Sequence, residues 1–221
     1  MGIRLWVATL SSVSFILAYV VGGGAGVGIT SGDGGGTIQA SSSVASLAGA
    51  AIILISYLTA VSPIGAASTG TGAGTGRRAA AWFIDFFLSL TALTSILTLI
   101  PLAAEAAATG HFAWEFERAH VSATDWLMTL VVIGLAFVGM AFYWTIPVMR
   151  GGQTIGQCIA GVRVIAASER APSPRRVWLR GLLQPFAPLL WMGKLFSGKY
   201  WHDEIANTKV VRVLDQPRAA A

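Results

Sequence analysis

RRAAAWFIDFFLSLTALTSILTLIPLAA, residues 77–104, is the stretch that decides the fold. From Ala79 to Ala104 it carries a single charge, Asp85, among apolar and small residues. A bilayer core of ~30 Å is crossed by ~20 mostly apolar helical residues, and this stretch exceeds that length. Arg77 and Arg78 mark the end at which it leaves the membrane. Three further stretches, Leu5–Val21, Val44–Val61 and Trp126–Met149, contain no charge at all.

The composition agrees with membrane spans. Of 221 residues, 54% are hydrophobic and 11% charged, against ~25% charged in an ordinary soluble domain. This excludes a disordered chain, a charged nucleic-acid-binding surface and most soluble enzymes. The single cysteine, Cys158, excludes an intramolecular disulfide framework, and no Cys/His spacing suggests zinc. No cofactor or metal is expected, and no enzyme. The fold class expected is an all-α polytopic membrane protein with four transmembrane helices, about 5–21, 44–61, 79–104 and 126–149. The first is read as a retained helix, because its apolar run is longer than the ~7–15 residues of a signal peptide core.

Charge sets the orientation. Residues 1–149 hold four basic and six acidic residues, and residues 150–221 hold eleven basic and four acidic. Lys and Arg favour the cytoplasmic side, so both termini are expected there, in a multi-pass protein of the cell membrane. The basic tail faces an anionic leaflet. The partners implied are the lipid bilayer, anionic lipids at the cytoplasmic face and a homo-oligomer or membrane complex, with no nucleic acid.

The expected organisation is an N-terminal transmembrane hairpin at 1–62, a Gly-rich cytoplasmic linker at 63–76, a domain at 77–214 and a disordered tail at 215–221. The glycine-rich segments Gly22–Gly36 and Gly70–Gly76 read as flexible linkers. VWLRGLLQPFAPLLWMG, after Arg176, is too short between Arg180 and Lys194 to span, and Pro185 and Pro188 interrupt it. It reads as an interfacial helix at about 177–193. GVRVIA (161–166) and TKVVRVL (208–214) have the β-branched content of strands and are expected to pair. In the outer loop, His111, Glu115, Glu117 and His120 have loosely metal-compatible spacing. The interleaved Phe112, Trp114 and Phe116 favour an interfacial helix there instead.

Asp85 is the residue out of place. Ionisable side chains inside a span face a partner or a water-filled path. Arg78 lies seven residues before it, within about 20° on one helix face but about 10 Å away along the axis. Asp85 is therefore expected to take another cation, with Arg163, Arg180 and Arg150 as candidates. Its role is open between a structural charge that locks the tail and a proton- or cation-binding carboxylate in a transport path.

RRAAAWFIDFF (77–87), GGQTIGQCIAGVRVI (151–165) and WHDEIANTKVV (201–211) occur in order, and together they resemble the three signature blocks of the RDD family over about residues 76–214. The resemblance places the name-giving Arg, Asp and Asp on Arg78, Asp85 and Asp203, with Arg180 where a further Arg commonly follows. Gly152, Thr154, Gly156, His202 and Thr208 also fall on motif positions. Gln157 stands where the family usually has Lys, Glu204 where it has Arg or Lys, and Asn207 where it has Gly. The resemblance implies a polytopic membrane protein, with cation/proton exchange proposed for some members. The charge network expected is Arg78, Asp85, Asp203, Arg180 and Arg163. It suits transport of a cation, proton or small solute with Asp85 as the coupling carboxylate. The alternative is a scaffold or accessory subunit in which the network clamps the tail to the helix bundle. His202 beside Asp203 is either a proton-relay pair or part of a turn.

Overall fold

The computed structural model describes residues 2–21, 23–32, 35–60, 69–167 and 173–213; the tail expected at 215–221 lies outside them. Its helices are α1 (Gly2–Val21), α2 (Val44–Ala60), α3 (Thr75–Leu97), α4 (Leu99–Thr109), α5 (Ala123–Arg150), α6 (Ile155–Ala160), α7 (Pro174–Leu183), α8 (Ala187–Ser197) and α9 (Trp201–Ala206). Its strands are β1 (Gly26–Gly32), β2 (Gly35–Ser41), β3 (Thr69–Gly72), β4 (Glu115–Ala119), β5 (Val162–Ala166) and β6 (Thr208–Val213).

The stretch at 77–104 is not one helix. α3 stops at Leu97, and α4 restarts after buried Thr98. Pro101 accounts for the break: it has no N–H to give the Leu97 carbonyl four residues back. Two helical stretches, 75–109 and 123–150, are long and apolar enough to cross a bilayer, whereas 5–21 and 44–60 are shorter apolar helices. Length and composition thus support two of the four expected spans. α5 leaves Trp126, Leu127, Leu130 and Phe137 exposed, the surface a lipid-facing helix needs.

The expectation of an all-α fold needs correcting, because the described residues include two three-stranded antiparallel sheets. One belongs to the compact unit formed by 12–54 and 90–139. Its order is β1-β2-β4, with Ile29 opposite Ile38 and Ala40 opposite Phe116. The glycine-rich segment expected as a linker is therefore largely strand. Glycine content obscured the period-two pattern in which Ile38 and Ala40, each 1% exposed, alternate with Thr37 and Gln39. The interfacial helix expected in the outer loop is likewise replaced by β4. Arg118 at its end bonds Asp125 at 2.8 Å and Glu105 at 3.3 Å.

The other unit comprises 1–11, 55–89 and 140–221. Its sheet has the order β3-β6-β5. The two strands expected in the tail pair as anticipated, Val162 opposite Arg212 through Ala166 opposite Thr208. β3 arises from part of the stretch expected as a linker. Val162, Val164 and Val210 pack with Ala81 of α3, Val148 of α5 and Val177 of α7 in one buried cluster. The single interfacial helix expected at 177–193 is instead two helices, α7 and α8, separated by a 3-10 turn at Gln184–Phe186. Pro185 and Pro188 withhold the N–H groups that would continue one helix. Pro188 removes the i+4 donor of the Gln184 carbonyl, which accepts instead from the Ala187 N–H and, at 2.7 Å, from Trp82 Nε1 of α3.

α5 contains a second such repair. Pro147 deprives the Tyr143 carbonyl of its helical donor, and the Tyr57 hydroxyl of α2 donates to it at 2.9 Å. The two rings stack with centroids 4.7 Å apart. Tyr57→Phe keeps the stack and strands a buried carbonyl, so it is expected to lower stability by about 1–3 kcal/mol, measured by thermal melting in detergent.

Candidate functional site

Two carboxylates organise the second unit, and each has a different set of partners. Asp85 of α3 is 1% exposed. Its Oδ1 accepts from the Tyr143 hydroxyl at 2.6 Å and from the Gly156 amide at 2.7 Å. Its Oδ2 accepts from the Thr154 hydroxyl at 2.5 Å. Among the described residues no basic side chain pairs with it, so the expected Arg163, Arg180 or Arg150 partner is replaced by three neutral donors. Hydrogen bonds to the charged form hold a carboxylate without a counter-ion.

The second motif block builds that cradle. Gly152 ends α5, donating its N–H to the Pro147 carbonyl at 2.8 Å. The chain turns back, and Thr154 caps α6 through a capping box in which Gln157 returns the bond to the Thr154 backbone. The Thr154 hydroxyl is then an acceptor for the Gln157 amide and a donor to Asp85. Gly156 is obligatory here: a Cβ would collide with the Ala81 carbonyl and lie 2.8 Å from Asp85 Cγ. Gln157, standing where the family usually has Lys, spends its side-chain oxygen on the cap.

Asp203 of α9 takes the arginines. Arg78 Nη1 pairs with Oδ2 and Arg180 Nη1 with Oδ1. Arg78 also donates from Nε to the Ala73 carbonyl at 3.0 Å and from Nη2 to the Val210 carbonyl at 3.2 Å, and it lies 4.2 Å from the centroid of the Tyr200 ring. Arg180 adds a bond to the Thr208 hydroxyl at 3.1 Å. One carboxylate thus ties α3, α7, α9 and β6 together. Burial pushes the Asp203 carboxyl up, but Arg180, His202 and Arg78 outweigh it and hold the group below its ordinary value.

His202 is 2% exposed, with Nε2 3.5 Å from Asp203 Oδ1. Burial, then the nearby Arg180 charge, pushes its pKa down to about 4, against the pull of Asp203. It is therefore neutral at physiological pH. Between the unfolded value near 6.5 and about 4, the unfolded chain takes up a proton that the folded one refuses. Stability should therefore fall as pH drops through this window, by about 3 kcal/mol. His202→Gln is expected to flatten that slope in melting temperatures read from neutral to acidic pH. Asp203 contributes in the same direction at lower pH: its stabilisation is lost as pH falls through its lowered value, below the histidine window.

The expected network is thus divided. Arg78, Arg180 and Asp203 meet, Asp85 is held apart from them by the cradle, and Arg163 lies on β5 opposite Val211. A small cleft is lined by Asp85, Arg78, Arg180, His202, Trp82 and Trp191 among others. The other departures from the family pattern have local explanations. Asn207 ends α9 at φ 51° and ψ 48°, a left-handed conformation that asparagine accepts best after glycine. Glu204 is exposed and pairs with Lys199. The outer-loop residues form no metal cluster among the described residues.

Sequence reasoning missed Tyr143 and Tyr57. Hydroxyls inside two apolar helices are the signal the sequence offers for them. Against known families, the model of the RDD family matches residues 72–207. No curated protein and no solved structure matches the chain.

Proposed function

This chain belongs to the RDD family, and we propose that its Arg/Asp motif is a clamp that fixes the cytoplasmic tail to the membrane helices of a scaffold or accessory subunit. The protein is a membrane protein; in this reading it is a multi-pass protein of the plasma membrane with both termini cytoplasmic. It has no enzymatic activity and works in a homo-oligomer or a larger membrane complex. The observation that carries the reading is that the name-giving Arg78, Asp85 and Asp203 are all paired inside the chain. Arg78 and Arg180 share Asp203, and Asp85 is filled by Tyr143, Thr154 and Gly156.

Transport of a cation, proton or small solute is the second reading, favoured by Asp85 lining the cleft. Proteoliposomes holding wild type or Asp85→Asn separate the two. The clamp expects equal cation-dependent proton flux from both, with faster protease cleavage of the tail in the variant. A flux present in wild type and abolished in Asp85→Asn would favour transport.

A further inference from the structure

The cleft contains hydrogen-bonding capacity that neither carboxylate uses. Arg180 is 5% exposed and commits only Nη1, to Asp203 and Thr208. Among the described residues its Nε and Nη2 donate to nothing, although its side chain lines the cleft. Gln157 uses its side-chain oxygen in the capping box, and no acceptor among the described residues takes its NH2. Gln184 Oε1 and His202 Nδ1 are buried without a partner among the described residues. A half-turn of the Gln184 amide presents NH2 in place of oxygen. Unused donors thus dominate the cleft.

That inventory selects the ligand. A cation would have to sit among two guanidinium groups, and Asp85, the carboxylate it would seek, is already filled by three donors. An oxyanion meets unspent N–H groups, and arginine matches phosphate oxygens with paired, charge-assisted bonds. The surroundings name the source. Leu182, Phe186 and Leu189 are 52%, 47% and 65% exposed within a few residues of Gln184 and Trp191. Arg175 and Arg176 are exposed earlier on the same α7. An apolar apron with basic residues beside a donor-lined cleft fits acyl chains on one side and a phosphate on the other.

We propose that this cleft receives a phosphate oxyanion, supplied by the phosphodiester of an anionic lipid headgroup, with Arg180 Nε and Nη2 as its principal donors. The site is separate from the clamp, since the bonds of Arg180 to Asp203 and Thr208 stay in place.

Trp82 and Trp191 line the cleft, so tryptophan fluorescence of the full chain in detergent reports on it. The titrants are short-chain phosphatidylglycerol, inorganic phosphate and the matching diacylglycerol. Gln184→Glu places a carboxylate in the cleft without touching the Arg78–Asp203–Arg180 pairs. Gln157→Glu does the same while keeping its capping acceptor, and covers the case in which the first variant does not fold. The expected result is a saturable response to phosphatidylglycerol that either substitution weakens about tenfold or more. Equal saturation by inorganic phosphate would support the oxyanion site and overturn the lipid source. No saturable response to either phosphate compound would overturn the proposal. So would a response that diacylglycerol reproduces, or one that neither substitution weakens.

Discussion

Asp203→Asn is expected to destabilise the protein by about 3–5 kcal/mol, because it leaves two buried guanidinium groups facing an uncharged amide. Arg78 and Arg180 are both largely buried and share this one carboxylate. Neutral His202 cannot replace the lost charge. Arg78 would keep its bonds to the Ala73 and Val210 carbonyls and its place over Tyr200. Arg180 would keep only Thr208 among the described residues. The loss should therefore fall hardest on α7 and α9. Melting in detergent at neutral pH reads the cost. Asp203→Glu restores the charge but not the reach between two fixed guanidinium groups, so it should recover part of it.

Asp85→Ala is expected to be as damaging, by the opposite chemistry. It strands the Tyr143 hydroxyl, the Thr154 hydroxyl and the Gly156 amide, each at about 1–3 kcal/mol when buried and unpaired, and opens a cavity beneath α6. Asp85→Asn keeps Oδ1 for Tyr143 and Gly156 and disturbs only the bond from Thr154. Its cost should be about that of one charge-assisted bond, ~1.5–3 kcal/mol. Stability should therefore rank wild type, then Asn, then Ala. Were Asp85 held by a cation, the lost charge would dominate in both variants, and Asn would cost nearly as much as Ala. The gap between them, read from melting temperatures, measures how far neutral donors hold the group.

Parts of this arrangement were legible in the sequence. The valines of GVRVIA and TKVVRVL announced β5 and β6, because β-branched residues in alternation suit a half-buried sheet. Of the expected network of Arg78, Asp85, Asp203, Arg180 and Arg163, the structure brings together Arg78, Asp203 and Arg180. The first sheet was not legible, since glycine hid its alternation. The partner of Asp85 was not legible either. A carboxylate in an apolar helix suggested a counter-ion, whereas a backbone amide and two hydroxyls met its needs. Those donors lie 58 to 71 residues away and become neighbours only when α5 turns back at Gly152. Pro147 and Pro188 each signalled a broken helical bond, yet the groups that mend the breaks, Tyr57 and Trp82, depend on tertiary packing.

The clamp is tested most directly by hydrogen exchange in micelles, comparing wild type with Asp203→Asn at neutral pH. The expected result is loss of protection in α7, α9 and β6, with the Tyr143–Pro147 region of α5 and the Asp85 cradle on α6 left protected. Unchanged protection of α9 and β6 in the variant would contradict the claim that Asp203 holds the tail to the helices.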